Sequence, residues 1–167
     1  MARKREYVIR AGSEFKLESP AFQHGSYIPP NYTCDGRDIN PPLKWSDPPE
    51  GTRSFALIMY DPDAPRGTFI HWVLYDIPAN RREIPEAVPM EPRIEGLGIH
   101  GMNDFWGLGY GGPCPPRLHG EHRYYFALHA LNIETLGLPH GADADYVMKA
   151  MEGKVIGYAL LMGRYKR

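Results

Sequence analysis

The sequence predicts a mostly β protein with one or two short helices. Two apolar runs, residues 55–60 and 125–131, are short and rich in aromatic and branched side chains, which is typical of buried strands. The 18 glycines and 17 prolines are interspersed with such runs, as in chains whose many short strands are joined by loops. Only residues 142–152 have the pattern of a convincing helix, with Asp143 placed to cap its start and Gly153 placed to end it.

The composition indicates a globular protein without a strong charge bias. With 167 residues, 43% of them hydrophobic, we expect residues 1–167 to form a single domain with a basic N-terminal arm over about residues 1–10. The formal net charge of −1 and a pI of about 6.7 do not favour nucleic acid or an acidic membrane as a partner. Residues 1–10 lack the apolar core of a signal peptide and no run reaches transmembrane length, so we expect a cytoplasmic protein.

The remaining elements follow in chain order. Phe15 and Leu17 alternate with polar neighbours, and strands are expected at Trp45 and over residues 54–60. Four prolines interrupt residues 76–111, which we expect to be mostly loop. Residues 154–165 are expected to form the closing strand, because they follow the helix as another apolar run.

The first motif, DPDAPRGTFIHW, fills residues 61–72 between two predicted strands. Two prolines stiffen this turn, so Asp61 and Asp63 are held at the end of a strand. An Asx-type turn, in which a carboxylate accepts a backbone N–H, accounts for one aspartate. It does not account for His71, which lies on the next strand at the same end of the predicted sheet. On that strand the period of two places Phe69, His71 and Val73 on one face.

The second motif, GPCPPRLHGEHRY, fills residues 112–124 and repeats this pattern of a proline-stiffened loop followed by a histidine. On the strand that follows, His122 and Tyr124 share one face, with Arg123 and Tyr125 on the other. If the two strands lie near each other in one sheet, a carboxylate, two imidazoles and a phenol converge on one rim. These side chains belong to Asp61, His71, His122 and Tyr124.

The two cysteines, Cys34 and Cys114, lie far apart in the chain. In a cytoplasmic protein the expectation is a pair of reduced thiols. A bridge between them would instead close a long loop and contribute ~4–5 kcal/mol in the chain-entropy model. A nucleophilic role for Cys114 is disfavoured, because the prolines around it provide neither a helix N-terminus nor a base.

These motifs make the chain resemble a known family. DPDAP followed closely by HW, then GPCPP and HRY, resembles the two signature regions of the phosphatidylethanolamine-binding protein family, and the likeness to its bacterial and archaeal branch extends over roughly residues 12–165. The resemblance implies an antiparallel, Greek-key-type β-sandwich with a small cavity at one end. It also implies a ligand that is a phosphate-type anion or a phospholipid headgroup.

The resemblance assigns residues to this cavity. The ligand-binding residues are then Asp61, His71, Gly112, His122 and Tyr124. Histidines with ordinary pKa values near 6.5 are poised to protonate beside an anion, and backbone N–H groups of the glycine loop can donate to it. The residues expected to shape the cavity are Asp63, Pro65, Phe69, Tyr110, Pro115 and Pro116. No catalytic residue, cofactor or metal is expected.

Two other functions are compatible with the sequence. The proline-rich residues 83–93 could present a rigid segment to a serine protease, and related proteins elsewhere regulate signalling proteins. Alternatively, Asp61, His71 and His122 match the two-histidine, one-carboxylate ligand set of a metal-dependent hydrolase.

Overall fold

The structure is a computed structural model that describes residues 4–167; residues 1–3, the start of the expected N-terminal arm, lie outside the described residues. Within that range the chain forms ten strands, one α-helix and a short 3-10 helix at Pro30–Tyr32. The strands and the helix are β1 (Ser13–Glu14), β2 (Lys16–Glu18), β3 (Leu43–Ser46), β4 (Ser54–Asp61), β5 (Phe69–Pro78), β6 (Glu83–Ile84), β7 (Arg93–Ile94), β8 (Gly98–His100), β9 (His122–Leu131), α1 (Ala144–Met151) and β10 (Val155–Tyr165). Residues 76–111 are mostly loop, as expected, but they also contain three short strands.

The strands form two sheets. The larger has the order β1-β10-β9-β4-β5-β8-β7, and the smaller has the order β2-β3-β6. Paired strands are antiparallel except β1 and β10, which are parallel. The order β9-β4-β5-β8 is that of a Greek key, because β9 returns along the chain to lie beside β4. The predicted mostly β, Greek-key sandwich is therefore confirmed.

The central strand β4 is buried along its whole length because both faces of the larger sheet are covered. Alternate side chains of β4, those of Phe55, Leu57 and Met59, pack in a core that includes Leu17 and Trp45 of the smaller sheet. The others pack on the opposite face against α1, and they belong to Ala56, Ile58 and Tyr60. Burial on both faces explains why the sequence shows a continuous apolar run instead of alternation.

The outer face of the larger sheet is covered by α1 and by the N-terminal segment. Asp143 caps α1 by accepting a hydrogen bond from the Tyr146 N–H at 3.0 Å, which confirms the predicted start of the helix. The ring of Tyr7 packs against Tyr60 at a centroid distance of 5.8 Å. Within residues 4–167, no helix has both the length and the apolar character needed to span a bilayer.

The expectation of reduced thiols is wrong, because Cys34 and Cys114 form a disulfide. The loops that carry them run side by side, with the Cys34 N–H donating to the carbonyl oxygen of Pro113 at 3.1 Å, and the two Cα atoms are 5.4 Å apart. The expectation rested on the redox state of the cytoplasm and contained no information on this proximity. A crosslink over a sequence separation of 80 residues stabilises the fold by about 4.5 kcal/mol in the chain-entropy model.

A candidate ligand-binding cavity at the end of the larger sheet

Three strand ends meet at one end of the larger sheet. Strand β4 ends at Asp61, while β5 begins at Phe69 and β9 begins at His122. Because β5 and β9 both run antiparallel to β4, on either side of it, their first residues lie beside its last. The two histidine-bearing strands are thus in one sheet, as the sequence argument required, but β4 separates them.

These strand ends and the neighbouring loops enclose a cavity of about 210 Å³. Its lining is mostly apolar and aromatic, with four titratable side chains and no lysine or arginine among its eleven residues. The lining residues are Asp61, Ala64, Pro65, Phe69, His71, Phe105, Cys114, Pro115, Pro116, His122 and Tyr124. Positive charge inside this lining can therefore come only from a protonated histidine.

His71 occupies a β-bulge in β5. On β4, Met59 is opposite Trp72 and the next residue, Tyr60, is opposite Ile70, so His71 is the extra residue of the ladder. Bulges re-aim side chains beside functional sites. The prediction that Val73 shares a face with Phe69 and His71 is wrong for this reason: the bulge shifts the alternation, and Val73 packs on the opposite side of the sheet.

The local environment keeps His71 neutral. Its Nδ1 lies 2.6 Å from the carbonyl oxygen of Gly111, which can only accept, so Nδ1 carries the proton and Nε2 is an acceptor. Burial lowers the pKa of His71 to about 4, although the backbone carbonyls of Gly111 and Gly112 favour the charged form. In the protein without a ligand, His71 is therefore less readily protonated than an ordinary histidine.

Asp61 and His122 form a buried pair. Asp61 Oδ2 lies 2.6 Å from His122 Nδ1, and the two side chains are 3% and 2% exposed. Asp61 Oδ1 accepts the Asp63 N–H at 2.7 Å, which is the Asx-type turn considered from the sequence. Burial raises the pKa of Asp61, while the hydrogen bonds from His122 and from the Asp63 N–H oppose that rise.

A third imidazole extends this pair to the surface. Nε2 of His122 lies 2.6 Å from Nδ1 of His119, an exposed residue in the loop before β9. Both nitrogens of His122 are therefore engaged by protein groups. His119 was not predicted at this site, although its spacing of three residues from His122 was a signal for it.

The hydroxyl of Tyr124 has no hydrogen-bond partner among the protein atoms. Four buried side-chain nitrogen or oxygen atoms in residues 4–167 have this status, and the Tyr124 hydroxyl is the one whose residue lines the cavity. Its ring stands edge-on to His71 with the centroids 5.2 Å apart. Burial raises the pKa of Tyr124, so the hydroxyl keeps its proton at neutral pH.

Two residues expected at the cavity lie behind its lining. The N–H of Gly112 donates to Asp38 Oδ1 at 2.8 Å, so it is not available to a ligand, and the expected donor role is corrected. A Cβ on Gly112 would lie 2.3 Å from the carbonyl oxygen of Tyr32, so the glycine serves close packing of two loops. Tyr110 is buried in the core, where its hydroxyl donates to that same oxygen at 2.6 Å.

Asp63 also lies outside the lining, on the outer side of the turn after β4. Its Oδ2 accepts from the backbone N–H and from Nε of Arg123, each at 2.9 Å, and its Oδ1 accepts from Nη2 at 2.8 Å. These hydrogen bonds from Arg123 lower the pKa of Asp63 to about 2. The pair ties the turn to the start of β9 and so fixes the position of Asp61.

The remaining lining residues fall into two groups. Four of those predicted to shape the cavity, Pro65, Phe69, Pro115 and Pro116, are in its lining. Three lining residues, Ala64, Phe105 and Cys114, were not predicted there, and the first two lie in irregular loops without a periodic pattern. In the described part of the chain, no group of three or more His, Cys, Asp or Glu side chains is arranged to hold a metal ion.

Comparisons with known proteins identify the family to which this sandwich of two sheets belongs. Residues 18–166 match the family model described as phosphatidylethanolamine-binding protein. A UPF0098 protein of Aquifex aeolicus is 53% identical over 156 residues, which cover 93% of this chain and 91% of that protein.

Two solved structures are similar over nearly the whole chain. A phosphatidylethanolamine-binding protein homologue from Chlamydia trachomatis has a TM-score of 0.83 at 35% identity, and YbcL of E. coli, described as a member of the mammalian family, has a TM-score of 0.84 at 31% identity. Each match covers 93% of this chain and 99% of the other. The chain belongs to the phosphatidylethanolamine-binding protein family, whose members are generally non-catalytic binding proteins.

Proposed function

We propose that the protein binds a small phosphorylated ligand, either a phosphate-type anion or a phospholipid headgroup, in this cavity and does not transform it. The observation that carries the proposal is the Tyr124 hydroxyl, which is buried at the cavity without a protein partner. An unsatisfied buried polar group costs ~1–3 kcal/mol. A ligand oxygen that accepts from this hydroxyl would remove that cost.

The size of the cavity supports a small ligand. At about 210 Å³ it falls below the range of about 300–1,000 Å³ typical of pockets for drug-sized molecules. In the proposed complex Tyr124 donates to the ligand, His71 contacts it through Nε2, and Asp61 orients His122 at the wall. The prolines of the lining and Phe69 give the cavity its shape.

Calorimetric titration with inorganic phosphate and with phosphoethanolamine tests the proposal. We expect saturable binding by the wild type, weaker binding by His122→Ala and none by the double variant His71→Ala/His122→Ala. His140→Ala is the matched control, because His140 is an exposed histidine outside the cavity lining. A folded wild-type protein that binds neither ligand at millimolar concentration would refute the proposal.

A second candidate, inhibition of a protease, is favoured by the shape of the segment between β6 and β7. The side chain of Asn40 holds this segment by donating to the carbonyl oxygen of Pro85 at 2.9 Å and accepting from the Val88 N–H at 2.7 Å. Met90 then projects with 56% of its surface exposed. A panel of serine proteases titrated with the protein tests this candidate, and the absence of inhibition at micromolar concentration removes it.

A further inference from the structure

The polar groups of the cavity accept more hydrogen bonds than they donate. Nδ1 of His71 donates to Gly111, and burial lowers the pKa of the ring, so in the free protein Nε2 carries no proton and accepts from a ligand. The carboxylate of Asp61 is an acceptor as well and carries negative charge. This balance is unusual for a site proposed to bind an anion, because an anion brings further acceptors.

The donors are correspondingly few. Nδ1 of His122 faces Asp61 and Nε2 faces His119, so neither points a free proton into the cavity. The hydroxyl of Tyr124 is the remaining side-chain donor of the lining. An oxyanion without a proton would gain one hydrogen bond and would meet the lone pair of His71 Nε2 and the charge of Asp61.

From this inventory we propose that the cavity selects phosphoryl groups that carry a proton, namely phosphomonoesters and hydrogenphosphate, over sulfate and phosphodiesters. The P–OH of such a ligand donates to His71 Nε2, and one of its unprotonated oxygens accepts from Tyr124. His71 is then the residue that determines specificity. The inference rests on the proposed function and names the ligand class of the same site.

The chemistry of the ligands fits this selection. A phosphomonoester has a second pKa near 6, so its protonated form is accessible at neutral pH, whereas sulfate and a phosphodiester have no comparable proton to donate. The phosphate of an intact phosphatidylethanolamine is a phosphodiester, while that of phosphoethanolamine is a phosphomonoester. The inference therefore favours a free phosphorylated small molecule over an intact lipid.

Affinity for a phosphomonoester should also depend on pH. If only the protonated form binds, the fraction available falls about 50-fold between pH 6 and pH 8 for a pKa near 6. The titratable groups that face His71 are Tyr124 and His122 from β9, with Asp61 from β4 beside them. The other aromatic rings that contact His71, those of Phe69 and Phe105, are uncharged. The overall charge of the cavity acts on phosphate and sulfate alike, so the ratio of the two affinities at one pH isolates the effect of His71.

The test is calorimetric titration of the wild type with inorganic phosphate, phosphoethanolamine, sulfate and dimethyl phosphate at pH 6 and pH 8. We expect phosphate and phosphoethanolamine to bind at least tenfold more tightly than the other two at pH 6. Equal binding of sulfate or dimethyl phosphate would overturn the selection but leave the proposed function standing. Failure of all four to bind would overturn the proposed function itself.

Two variants separate the roles of the contacting groups. In His71→Gln the side-chain amide can donate to an unprotonated oxygen, so the preference for phosphate over sulfate should fall toward one. In Tyr124→Phe the donor shared by all ligands is lost, so every affinity should fall while the preference is retained. Circular dichroism checks that each variant folds. If His71→Gln does not fold, the inference is decided by the ratio of the wild-type affinities for phosphate and sulfate.

Discussion

Replacing Tyr124 with phenylalanine should stabilise the free protein while weakening ligand binding. The hydroxyl is buried without a protein partner, and removing such a group recovers part of a desolvation cost of ~1–3 kcal/mol. For a chain of 167 residues, unfolding entropy of about 2.1 cal/mol/K per residue gives about 3 °C in Tm per kcal/mol. A gain of ~1–2 kcal/mol therefore raises Tm by ~3–6 °C.

Binding should change in the opposite direction. Loss of one hydrogen bond to a charged ligand costs ~1.5–3 kcal/mol, which corresponds to a decrease in affinity of roughly 10- to 150-fold. Opposite changes in stability and affinity are expected of a residue whose polar group is kept for the ligand. Urea denaturation followed by fluorescence measures the first change, and calorimetry with phosphoethanolamine measures the second.

Tyr110→Phe is the matched control. That tyrosine is also buried, but its hydroxyl donates to the carbonyl oxygen of Tyr32 and it does not line the cavity. Its loss should destabilise the fold by ~1–2 kcal/mol and leave ligand affinity unchanged. If Tyr124→Phe destabilises the protein to the same extent, the Tyr124 hydroxyl has a partner in the free protein and the reasoning is refuted.

Three further predictions concern the loops around the cavity. The double variant Cys34→Ser/Cys114→Ser should lose up to about 4.5 kcal/mol in urea denaturation and become insensitive to reductant, whereas equal stability of the wild type with and without reductant would contradict the disulfide. Gly112→Ala should lose at least ~2 kcal/mol because its Cβ would lie 2.3 Å from a backbone oxygen, and a Tm within 2 °C of wild type would contradict that packing. Asp63 has a folded pKa of about 2, below its usual 3.8, so its pair with Arg123 stabilises the fold above about pH 4 and loses this effect as the pH falls toward 2. Asp63→Asn should therefore lose ~1 kcal/mol at pH 7 after allowance for solvent screening, and only a small part of that at pH 2; a deficit that is constant with pH would argue against the ion pair.

The convergence of the site was predictable from the sequence because it depends on local patterns. Period-two alternation placed His122 and Tyr124 on one face, and two stiff loops returned histidines to the end of the strand that Asp61 closes. The antiparallel pairing of β4 with β5 and β9 places the three strand ends at the same edge of the sheet. The local patterns placed the side chains at the strand ends, and the pairing of β4 with β9 brought those ends together.

Most of the features that were not predicted depend on contacts distant in sequence. The bulge at His71 is visible only in the pairing with β4, and its low pKa arises from burial by other segments. The contact of His119 with His122 depends on the conformation of a loop rich in proline and glycine. The disulfide requires two loops 80 residues apart to lie side by side, which no spacing rule supplies.

Phosphorus NMR titration of phosphoethanolamine into the wild type and into His71→Ala/His122→Ala tests the central claim most directly. The phosphorus chemical shift reports both binding and the protonation state of the bound phosphoryl group. We predict a saturable shift toward the protonated species at pH 8, absent in the double variant and unchanged in His140→Ala. A folded wild-type protein that leaves the phosphorus resonance unshifted would contradict the claim that this cavity binds a phosphoryl group.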